Sequence, residues 1–161
     1  MTRKHAILSA SGAHRWLNCP PSARLEQQFP DEVSEYAAEG TKAHKIAEGI
    51  LLDKIDEPTP DEMNEMHEHV SRYVEVVLEK LVPGADLYVE QYLDFSPWVP
   101  EGFGTGDAVI VSDDMLEIVD LKYGKGVRVD AEGNPQLRLY ALGAYNEFGA
   151  LYEFQTVRMT I

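Results

Sequence analysis

The hydrophobic period changes at Pro83-Gly84, and this divides the chain more sharply than any motif does. Before that point apolar residues recur at threes and fours, and after it at twos, so helices come first and strands afterwards. Upstream, Ser9 or Ser11 can cap a short helix through Asn18, with Leu8, Ala13, Trp16 and Leu17 as its apolar face and Pro20-Pro21 as its stop. A second helix is expected over residues 32–52, carried by Tyr36, Ala43, Ile46, Ala47 and Ile50 and broken by Glu57-Pro58-Thr59-Pro60. A third is expected over residues 61–81, where Met63, Met66, Val70, Tyr73, Val74, Val77, Leu78 and Leu81 repeat at helical spacing.

Downstream, Leu87, Val89, Tyr92 and Leu93 predict a strand. Residues 107–111 and 116–122 predict a hairpin joined by Ser112-Asp113-Asp114, and residues 124–134 a loop. Pro135 opens a helix over residues 136–148, and residues 152–161 read as a last strand. A chain of 161 residues is the size of one domain. The expectation is therefore a single α/β domain of α+β type over residues 1–161, with a helical part, 1–83, and a part holding the sheet and a further helix, 84–161. Because the sequence stops within a strand, it reads as a truncated or minimal version of a longer protein.

Charge and cysteine content restrict function. Fourteen Lys and Arg against 28 Asp and Glu give a net charge of −14, which repels a polyanion at long range. The excess is uneven: residues 1–25 hold Arg3, Lys4, Arg15 and Arg24 and no acid, whereas residues 26–70 are strongly acidic and read as solvated helix faces. Lys122, Lys125, Arg128 and Arg138 form a mildly basic stretch. The single cysteine, Cys19, excludes an internal disulfide and an all-cysteine metal site within these residues, and is expected to be a small buried residue. Apolar runs fall far short of the roughly 20 residues that span a bilayer, and Ala6-Ile7-Leu8 is too short for a signal peptide, so no membrane partner and a cytoplasmic location are expected.

The chemistry collects in a few places. Asp120 and Lys122 lie two apart on a strand, so their side chains leave one face and Leu121 the other. Isolated, such a pair is a surface ion pair worth little. Flanked by Ile118-Val119 and Leu121, it is expected to be buried, and charged groups there need partners or a metal. Asp107 follows Gly104-Thr105-Gly106, glycines that let the backbone approach a ligand, and an antiparallel pairing would set it beside Asp120. Two carboxylates at one strand end suit Mg2+ or Mn2+. His44, one turn after Gly40, can add a neutral imidazole if its helix crosses the strand ends, and Gln136 and Tyr140, four apart, can turn an amide and a phenol towards the same pocket. Lys125 and Arg128 can grip a phosphate backbone nearby.

In order, Gly40-x3-His44, Gly106-Asp107, Asp120-Leu121-Lys122 and Gln136-x3-Tyr140, on helix, strand, strand and helix, resemble the RecB-like branch of the PD-(D/E)XK nuclease superfamily. Ser9-x-Ser11-x4-Trp16-x2-Cys19-Pro20 is similar to the opening of many RecB-like domains, including the CRISPR-associated exonucleases. More closely, Cys19-Pro20-Pro21-Ser22-Ala23-Arg24, Ala38-Glu39-Gly40-Thr41-x2-His44 and Asp120-Leu121-Lys122-Tyr123-Gly124-x-Gly126 resemble an uncharacterised phage and prophage family of that branch, and the likeness spans residues 9–145.

That resemblance implies a restriction-endonuclease-like core, with a central mixed sheet, an antiparallel meander and flanking helices, preceded here by extra N-terminal helices. It implies that His44, Asp107, Asp120 and the Leu121 carbonyl ligate Mg2+ or Mn2+, and that Lys122 orients the attacking water or stabilises developing charge. Gln136 and Tyr140 would position the phosphate or the lysine, and Glu39 would be an extra acid near the metal. The implied activity is metal-dependent DNA cleavage, exonucleolytic and of phage recombination or replication type, beside a single-strand-binding or annealing protein. Many relatives carry four cysteines for an iron-sulfur cluster, of which only Cys19 has a match, so no such cluster is expected. The alternative is a nuclease-fold module without turnover that binds nucleic acid or a protein.

Overall fold

The computed structural model describes residues 6–29, 35–59, 61–124 and 128–161. The N-terminal helix is shorter than expected. It covers only Ala13–Trp16 (α1), because the Ser9 hydroxyl accepts from the Gly12 amide at 3.2 Å and closes a turn there. The prolines then start a helix as well as ending one: Pro21, at φ −63°, precedes α2, Ser22–Glu26, which the sequence pattern did not reveal. Cys19 lies in the turn between these two helices and is exposed, which corrects the expectation of a buried thiol.

The long helices α3, Glu35–Leu51, and α4, Glu65–Lys80, follow. The expected start of α3 at residue 32 lies outside the described residues. α4 begins later than expected because Glu62 accepts from the amide and hydroxyl of Thr59, closing a separate turn, and Asn64 then caps the helix through the His67 amide at 3.1 Å.

Strands β1, Asp86–Asp94, β2, Phe103–Val111, and β3, Met115–Val119, form an antiparallel meander. Helix α5, Pro135–Phe148, then leads to β4, Thr156–Thr160, which lies parallel to β3. The result is an α+β fold whose mixed sheet has the order β1-β2-β3-β4. β2 starts four residues earlier than expected, and β3 ends three earlier. Past Val119 the β3 backbone no longer pairs with that of β2: the Asp120 amide donates to the Thr160 carbonyl at 3.0 Å, and the Leu121 amide to the Asp107 side chain at 2.7 Å.

Helices cover both faces of the sheet, which explains the unbroken apolar run at residues 108–111. On one face Val109, Val111, Leu116 and Ile118 pack against Leu137, Tyr140, Ala144 and Phe148 of α5. On the other, Ala108, Ile110, Val119 and Leu121 pack against Ala43, Ala47 and Ile50 of α3 and Val70, Val74 and Val77 of α4. The fully buried Glu117 is held by Lys80 of α4 and, on β4, by Arg158 at 3.5 Å and Thr160 at 3.1 Å. Close packing also accounts for the glycines of β2, against α5 at Gly104 and against β1 at Gly106. A Cβ on Gly104 would lie 2.8 Å from the Tyr140 ring, and one on Gly106 2.9 Å from Leu93. These residues serve packing within the core, which corrects their reading as room for a ligand. Among the described residues no helix is long and apolar enough to cross a membrane.

Candidate active site

Three carboxylates lie near one another where the strand pairs end, two of them set opposite each other by the register. The β2–β3 ladder ends at Ala108 with Val119, so Asp107 and Asp120 lie one residue beyond its last pair, near enough for the Asp107 charge to act on Asp120. In β1–β2 the pairs Val89 with Ala108 and Gln91 with Gly106 bracket Glu90 opposite Asp107. Glu90 and Asp107 thus face each other across β1 and β2, with the Asp120 charge also acting near Asp107, an arrangement that like-charge repulsion disfavours unless a cation is present.

From α3, whose Ala43 and Ala47 anchor it in the core, His44 reaches Asp107. Its Nδ1 lies 3.1 Å from Asp107 Oδ1, while Asp107 Oδ2 accepts the Leu121 amide. The ligand atoms of His44, Glu90 and Asp107 all fall within 4.8 Å of one another. Asp120 is 3% exposed; its Oδ2 receives the Lys122 ammonium and its Oδ1 the Gln136 amide at 3.2 Å. The Gln136 amide also donates to the Tyr140 hydroxyl at 3.2 Å. Both residues are placed by the start of α5, where Asn134 accepts from the Leu137 amide and Pro135 occupies the first turn.

Electrostatics follow from burial and the neighbouring carboxylates. Burial first and the Asp107 charge second push Asp120 up to about 6, against the opposing pull of Lys122. The same two causes raise Glu90. His44 is raised because its hydrogen bond to Asp107 outweighs burial. Burial raises Tyr140, so its phenol stays protonated at neutral pH. Beside Asp120 and Lys122 opens a cleft of about 720 Å3, bordered also by Tyr73, Arg72, Tyr123 and Arg128.

Hydrogen bonds thus join His44, Asp107 and the Leu121 amide in one group and Asp120, Lys122, Gln136 and Tyr140 in another; the Asp107 charge acts on Asp120 between them, Asp120 lies outside the 4.8 Å ligand cluster, and the Leu121 side chain enters the core on the α3–α4 face. Arg128 borders the cleft, exposed and 3.2 Å from Asp130. Lys125 lies outside the described residues. Glu39 is exposed on α3 and its charge acts on Tyr123, while the acid whose ligand atom lies within 4.8 Å of those of His44 and Asp107 is Glu90. Sequence reasoning passed over Glu90 because it sits inside an apolar alternation. Only the β1–β2 register, which the tertiary structure decides, sets it opposite Asp107.

The model of one family, described as "Protein of unknown function (DUF2800)", matches residues 5–161, and the chain belongs to that family. No solved structure matches it.

Proposed function

We propose that this member of the DUF2800 family is a divalent-metal-dependent deoxyribonuclease of the RecB-like PD-(D/E)XK type, with a restriction-endonuclease-like core, holding Mg2+ or Mn2+ and degrading DNA from its ends. The supporting observation is the meeting of an imidazole, two carboxylates, an ammonium, an amide and a phenol contributed by α3, β2, the end of β3 and α5. The donor set fits a hard cation: oxygen ligands dominate, one neutral nitrogen joins them, and the carboxylates repel one another when no positive ion lies between them.

His44, Asp107, Asp120 and the Leu121 carbonyl would hold the ion, which supplies a Lewis acid for the phosphate and a more acidic bound water. Lys122, kept beside the site by Asp120, directs a positive N–H donor at the water or at a phosphate oxygen, where charge builds during phosphodiester hydrolysis. Gln136 fixes the Asp120 carboxylate by donating to Oδ1, and the Tyr140 oxygen fixes the Gln136 amide in turn. Arg128 and Lys125 would hold the backbone of the strand entering the cleft. Such an activity fits phage recombination or replication in the cytoplasm of an infected or lysogenic bacterium, beside a single-strand-binding or annealing protein.

The test is digestion of linear, circular and single-stranded DNA with Mn2+ by the wild type, Asp120→Ala and Lys122→Ala. The wild type should degrade linear DNA and both variants should not. Equal background from all three proteins rejects the reading.

A further inference from the structure

We infer that Glu90 of β1 is an additional protein ligand to the divalent ion, and that a paired break in the pleat of β1 and β2 puts it there. The inference rests on the metal-site reading above and extends the ligand set to a residue outside its motifs.

Along β1, Tyr88 packs on the α5 side and Leu87 on the α3–α4 side, yet Leu93 packs on the α5 side. Strict alternation would send residues 88 and 93 to opposite faces. β2 shows the same break. Val109 and Val111 face α5, and so do Gly104 and Gly106, whose added Cβ atoms would meet Tyr140 and Leu93. The register stays constant on both sides of the break, so no residue is inserted and both strands change face together at the Glu90–Asp107 position. Glu90 takes up the change with φ +52°, in the left-handed region that side chains other than glycine rarely adopt.

The consequence is chemical. The ligand atoms of Glu90, Asp107 and His44, from two strands and a helix, come within 4.8 Å of one another, close enough to share one ion. Glu90 is exposed, so the ion can enter from solvent and keep water on its remaining positions. Next to Asp107, and with Glu48 also near, the Glu90 carboxylate sits among negative charges that a cation would neutralise.

Isothermal titration of the full chain with Mn2+ decides the matter, using the wild type, His44→Ala, Glu90→Gln and Glu90→Gly. Glu90→Gln should weaken Mn2+ binding about tenfold or more, the scale on which even supporting residues of metal sites act. Glu90→Gly should weaken it equally while thermal unfolding in EDTA shows no loss of stability, since glycine suits φ +52°. If His44→Ala weakens binding but both Glu90 variants match the wild type within twofold, Glu90 is not a ligand and the metal-site reading survives. Absence of Mn2+ binding by the wild type overturns both.

Discussion

Asp120→Asn separates the demands of folding from those of the proposed chemistry. The folded protein raises Asp120 from 3.8 to about 6, so at pH well above 6 its ionised form opposes folding by up to about 3 kcal/mol, at about 1.36 kcal/mol per pH unit. The sign follows from linkage: a carboxyl group whose folded-state value is raised favours the fold below its unfolded value, and that contribution is lost as pH rises through about 6. Asparagine removes the charge but keeps an oxygen for the Gln136 amide, and the Lys122 side chain, 35% exposed, can turn to water. In urea unfolding with EDTA at pH 7.5, Asp120→Asn should be more stable than the wild type by about 1–3 kcal/mol, with the gap shrinking towards pH 4. Adding Mn2+ at about 100 times its dissociation constant should stabilise the wild type by about 2.7 kcal/mol and the variant far less, closing or reversing the order. A variant less stable than the wild type in EDTA at pH 7.5 would refute the argument, because the ion pair with Lys122 would then outweigh burial.

Lys122→Met should lower DNA cleavage by about 10²–10⁴-fold while Mn2+ affinity by titration changes less than about threefold, as expected of a group that acts on the reaction and not on the ion. Mn2+ affinity should fall as pH drops below 7, because His44 and Asp120 are both raised and must lose protons to ligate; titration in buffers of different ionisation enthalpy should show proton release on binding. Gly143→Ala should cost about 1–3 kcal/mol in urea unfolding, since its Cβ would lie 2.8 Å from Leu93 Cβ and 3.2 Å from the Leu93 carbonyl carbon, where backbone cannot yield cheaply. Glu117→Ala should cost about 3 kcal/mol by the same assay, because it leaves Lys80 without its buried partner.

Much of the site was legible in the residues. Asp120-Leu121-Lys122 announced its geometry because strand alternation sends the first and third side chains one way, and Gln136 and Tyr140 did so because four residues make one helical turn. Asn134-Pro135 marked the start of α5 through capping and a fixed φ. Misjudged were features that neighbours decide. Cys19 is exposed because the prolines begin another helix there, and Gly104 and Gly106 are small because Tyr140 and Leu93 occupy the space above them.

From the sequence alone follow the order of the long helices and the strands and the pairs of polar side chains that local periodicity aligns, since each depends on bonds between near neighbours. Only the tertiary structure could decide that β4 joins β3 in parallel, that His44 reaches Asp107, and that Glu90 stands opposite Asp107. Those outcomes depend on which strands pair and in what register, and that choice is made by burial summed over both faces of the sheet.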